Sequence, residues 1–70
     1  MDSTDPTGRN LRTIRQQRQW SYDDVAAATG FDAEVIEGLE RGATFLSRSR
    51  LAELAERLGV PIEDLTDPSR

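Results

Sequence analysis

Three glycines, Gly30, Gly42 and Gly59, each fall directly after a stretch whose apolar residues recur at three- and four-residue spacing. That punctuation confines the chain to short helices, because glycine takes the left-handed backbone with which helices and sharp turns end. The segments follow in order. Leu11 and Ile14 mark a first helix from about Gly8 to Gln19, closed by Trp20. Ser21 is placed to cap a second helix carrying Val25, Ala26 and Thr29 inward, with Asp24 three residues on in a capping-box arrangement. Asp32 is placed to cap a third, built on Ile36 and Leu39, and Ser47 a fourth, built on Leu51, Leu54, Ala55 and Leu58. Ala43 to Leu46 read as a loop, and a fifth helix starts near Pro61 and turns Ile62 and Leu65 inward. Period-two alternation is lacking, so the expected fold is all-α, a compact five-helix bundle.

Seventy residues support one domain, since a chain this short buries only about 60 % of its unfolded surface. The expected layout is a flexible tail over 1–7, a domain over 8–66 and a second tail over 67–70. The expected core is Leu11, Ile14, Trp20, Val25, Ala26, Phe31, Ile36, Leu39, Leu51, Leu54, Ala55, Leu58, Val60, Ile62 and Leu65. Without Cys or His there is no thiol nucleophile, imidazole base or Cys/His metal site, and neither cofactor nor metal is implied. The adjacent acids Asp23-Asp24 and Glu63-Asp64 point about 100° apart on a helix and cannot share a substrate. No enzyme activity is expected. There is no membrane segment, as no apolar run approaches the roughly 20 residues that span a bilayer, and a cytoplasmic location is expected.

Helices 2 and 3, joined by a tight turn at Gly30, have the layout of a helix-turn-helix over residues 21 to 41. The wording resembles Cro/C1-type (XRE-like) helix-turn-helix domains: Leu11-Arg12-x-x-Arg15, Trp20-Ser21, Val25-Ala26-x-x-x-Gly30-Phe31, Ile36-x-x-Leu39-Glu40-Arg41-Gly42 and Leu51-x-x-Leu54-Ala55-x-x-Leu58-Gly59-Val60. The resemblance runs without a gap from Leu11 to Leu65 and implies a lambda-repressor-like fold that presents helix 3 to the major groove of double-stranded DNA. It also implies a structural ion pair between Arg15 and Glu40. By the same resemblance the DNA-facing set is Ser21 and Tyr22 at the start of helix 2, Ala33, Glu34, Glu37 and Gly38 on helix 3, and Arg41, Arg48 and Arg50 on the phosphates.

Charge complicates that assignment. All nine cations are Arg against thirteen acids, a net charge of −4, so DNA contact must rest on a local patch. Asp32, Glu34, Glu37 and Glu40 make helix 3 acidic; the first two complement the helix dipole, but Glu37 does not. Glu can accept from cytosine N4 and Ala can touch a thymine methyl. Gly38 in mid-helix marks the close approach of another group, DNA or protein. Relatives usually carry an apolar residue where Arg48 stands, leaving Phe45 or Leu46 to fill the gap. With few cations on phosphate per subunit, a homodimer on two half-sites is expected. The competing expectation is an adaptor whose acidic helix 3 binds a basic protein partner.

Overall fold

The computed structural model describes residues 6–67. They form α1 (Thr7–Gln17), α2 (Tyr22–Thr29), α3 (Ala33–Arg41), α4 (Arg48–Leu58) and α5 (Glu63–Thr66), with no strand among the described residues. None of these helices is long and apolar enough to cross a membrane. The helix ends follow local chemistry. Ser21 and Asp24 form a reciprocal capping box, Ser47 accepts from the Arg50 amide, and Gly30, Gly42 and Gly59 all close helices with positive φ.

Four expectations need correction. α1 begins at Thr7, one residue early, and Thr7 is buried, so it belongs to the domain; residues 1–5 and 68–70 of the expected tails lie outside the described residues. α1 also stops at Gln17 because Gln19 turns left-handed, φ 59°, letting the Trp20 amide donate back to the Arg15 carbonyl at 3.0 Å. Asp32 occupies the N-cap position of α3, but its side chain makes no capping hydrogen bond. Pro61 lies in a preceding turn closed by the Asp64 amide on its carbonyl, and α5 proper starts at Glu63.

α1 packs on α3 and α5, α2 packs on α3 and α4, and α4 closes onto α5. Leu11, Val25, Phe31, Ile36, Leu39, Leu51, Leu54, Ala55, Leu58 and Leu65 are buried as expected. Ile14, Trp20, Val60 and Ile62 only edge the core and Ala26 is half-buried, since so small a domain has little interior. Buried polar groups brace the helices instead. Asn10 Nδ2 donates to the carbonyls of Leu65 and Asp67, both at 2.9 Å, which ties α1 to the end of α5. Thr29 Oγ1 donates to the Val25 carbonyl at 2.7 Å and accepts from the Phe31 amide at 3.2 Å, stiffening the turn between α2 and α3. At Gly8 a Cβ would run into the Leu39 carbonyl oxygen, so glycine is what lets α1 lie directly on the α3 backbone.

Candidate nucleic-acid interface

α3 is amphipathic. Ile36, Leu39 and Glu40 face inward, so Glu34, Glu37 and Arg41, spaced three and four residues apart, form an outward stripe. Glu37 lies one residue after buried Ile36 and is half-exposed on this stripe, where its Oε2 pairs with Arg41 Nη1 at 3.2 Å. Glu34 is exposed, and Ala33 is half-buried. The expected acidic outer face is therefore present, with Glu37 matched to its neighbour one turn on.

Gly38 and Tyr22 stand differently from expectation. An added Cβ at Gly38 would lie 2.6 Å from Thr44 Oγ1 and 3.0 Å from Thr44 Cβ. The group approaching this glycine is the chain's own loop, and the Gly38 carbonyl accepts the Ala43 and Thr44 amides at 2.8 and 3.2 Å. Tyr22 turns toward the interior: its hydroxyl donates to Glu40 Oε1 at 3.4 Å and the Arg15 guanidinium lies 4.5 Å from its ring centroid. Ser21 spends its hydroxyl on the Asp24 amide.

Arg15 and Glu40 form the ion pair that the resemblance implies. Arg15 Nε reaches Oε2 at 2.7 Å and Nη2 reaches Oε1 at 3.0 Å, while Nη1 donates to the Trp20 carbonyl at 3.0 Å. The hydrogen bond to Glu40, reinforced by the Glu40 charge, raises the Arg15 pKa above its ordinary value against the opposing pull of burial. Arg12 adds its Nε to Glu40 Oε1 at 3.3 Å, so one carboxylate serves two guanidiniums and a phenol. Sequence reasoning missed Arg12 and Tyr22 here; the three-residue spacing of Arg12 and Arg15 on one helix face was the available signal for the first.

Residues 41–52, which run from the last residue of α3 into α4, contain Arg41, Arg48 and Arg50 and no acid. Arg50 reaches Glu53 at 3.5 Å and lies 4.8 Å from the Phe31 ring centroid. Arg48 is exposed and pairs with no acid among the described residues. Leu46 packs against the core near the expected gap, whereas Phe45 points outward and is 67 % exposed.

Two short helices crossing at a glycine turn, with the second exposing one face, define a helix-turn-helix protein of the Cro/C1 type. The chain belongs to the helix-turn-helix domain family, whose model matches residues 7–68. It is 32 % identical over 69 residues to the uncharacterized HTH-type transcriptional regulator y4dJ of Sinorhizobium fredii, covering 99 % of this chain and 90 % of that one. It is 37 % identical over 59 residues to the uncharacterized HTH-type transcriptional regulator Rv0023 of Mycobacterium tuberculosis, covering 84 % of this chain. The chain spans only 23 % of that mycobacterial relative. Among solved structures, the DNA-binding domain of BldD superposes with a TM-score of 0.80 at 36 % identity, covering 94 % of this chain and 99 % of that one. Hydroxypropylphosphonic acid epoxidase from S. wedmorenis also matches, at 28 % identity and TM-score 0.77, covering 99 % of this chain but 38 % of the epoxidase. The curated relatives are transcriptional regulators.

Proposed function

We propose that this chain is the DNA-binding unit of a transcription regulator and has no catalytic role, with α3 entering the major groove and Arg41, Arg48 and Arg50 on the flanking phosphates. The observation that carries this reading is the outward α3 stripe, which ends on Arg41, running directly into a segment that holds Arg48 and Arg50 and no acid before Glu53, whereas in the other acid-free stretch, residues 6–22, Arg12 and Arg15 are bonded to Glu40. Likeness to the DNA-binding domain of BldD supports it. Ala33, Glu34 and Glu37 remain the candidates for base edges; Ser21 and Tyr22, occupied by a cap and by Glu40, serve as supports for the helix. Three phosphate contacts hold a duplex weakly, so a homodimer on two half-sites is the working form.

A second reading is favoured by exposed Glu34: an acidic α3 docking on a basic protein partner. Titration of a labelled random-sequence duplex across a range of salt separates the two. DNA binding predicts log K falling with log salt at a slope of about −3 per subunit. A flat, very weak response supports the adaptor and overturns the DNA reading.

A further inference from the structure

The loop between α3 and α4 exposes a large apolar side chain. Phe45 is the exposed large apolar residue among the described residues, although its neighbour Leu46 turns inward and packs on the core. A single exposed apolar side chain needs no partner for its own sake. Two observations set Phe45 apart. Thr44 is seated on Gly38, and the Ala43 and Thr44 amides are bonded to the Gly38 carbonyl, so the loop backbone is fastened to the end of α3 directly before exposed Phe45. Along the chain Phe45 stands between Arg41 and Arg48 with no acid in between, and although Arg41 is paired with Glu37, Arg48 has no acidic partner among the described residues.

We infer that Phe45 and Arg48 together grip one strand of the duplex, Arg48 on a phosphate and the Phe45 ring against the adjoining deoxyribose. The inference rests on the DNA reading and adds a contact to it. A nucleic-acid strand alternates anionic phosphates with apolar sugar faces, and the loop with the first residue of α4 offers an aromatic face and a guanidinium without an acidic partner three residues apart. A rigid aromatic ring loses little conformational freedom when it packs, and the Gly38–Thr44 contact has already restricted the backbone that carries it. The division of labour is physical: the ring contributes affinity that salt does not screen, and the guanidinium contributes affinity that it does.

The test titrates the labelled random-sequence duplex with wild type, Phe45→Ala, Phe45→Tyr and Arg48→Ala at several salt concentrations, with thermal melting and sedimentation velocity on each protein. Phe45→Ala is expected to weaken binding about tenfold at every salt concentration, with slope, melting temperature and oligomeric state unchanged. Phe45→Tyr is expected to bind within about twofold of wild type, as it keeps the ring. Arg48→Ala is expected to flatten the slope by about one. A wild type that binds with the expected slope while Phe45→Ala binds equally well overturns this inference alone. So does a loss in Phe45→Ala that is matched by dissociation of a dimer, which would make Phe45 a contact between copies of the chain. No binding by the wild type overturns the DNA reading and this inference with it.

Discussion

Arg15 Nε meets Glu40 Oε2 at 2.7 Å where α1 crosses the end of α3, with the Glu40 side chain fully shielded and Arg15 14 % exposed. Truncating Glu40 takes the carboxylate from Arg15, and truncating Arg15 leaves the shielded Glu40 with only its longer bonds to Arg12 and Tyr22, so Glu40→Ala or Arg15→Ala is expected to cost about 3–5 kcal/mol of unfolding free energy. Replacing both by apolar residues is expected to recover part of the loss. Urea melts of the two singles and the double provide the cycle, and strictly additive losses would contradict a shared interaction. Arg12, 48 % exposed on the same carboxylate, is expected to contribute far less when truncated.

Gly38→Ala tests whether the glycine serves the fold. Helix propensity favours Ala by about 1 kcal/mol, yet the new methyl would meet Thr44 Oγ1 and also Thr44 Cβ, which rotation of the side chain does not move. Net destabilisation of about 1–2 kcal/mol is expected in thermal melts. Adding Thr44→Ala should relieve part of it, by removing the nearer atom. Stabilisation by Gly38→Ala would show that the loop yields freely.

Gln19 sits at φ 59° at the end of α1, a conformation that costs a residue with a Cβ about 1 kcal/mol. Gln19→Gly is therefore expected to stabilise the domain by about 0.5–1 kcal/mol, read as a higher urea midpoint at constant slope. Glycine's greater freedom in the unfolded chain limits the gain. A lower midpoint would mean that the Gln19 side chain makes up for its strain.

Glu37→Gln separates the two functional readings. The pair with Arg41 is exposed and lies at i,i+4, so its loss should change stability by no more than about 0.5 kcal/mol. If α3 faces DNA, removing the acid frees Arg41 and raises affinity for random duplex. If α3 docks on a basic protein, the same change weakens that complex, with an effect that shrinks as salt rises. Low-salt anisotropy titrations of wild type and variant give the sign, and equal duplex affinity for the two would exclude Glu37 from the DNA contact.

Much of the architecture is written locally. Gly30, Gly42 and Gly59 end helices and Ser21 and Ser47 start them because each acts on backbone groups within a few residues of itself. The three-and-four spacing of Leu11, Ile36, Leu39, Leu51, Leu54, Leu58 and Leu65 likewise assigns their burial without knowledge of the partner helix. The Arg15–Glu40 pair was legible only through family resemblance, being a contact across 25 residues. What the tertiary structure alone decided is how side chains from distant segments share space. Only the assembled bundle turns Tyr22 onto Glu40, brings Arg12 to the same carboxylate, seats Thr44 on Gly38 and lays Gly8 on Leu39. A residue's type and spacing state which face of a helix it occupies, but the group it meets there depends on how two helices cross, and that crossing is set by the packing of the whole core.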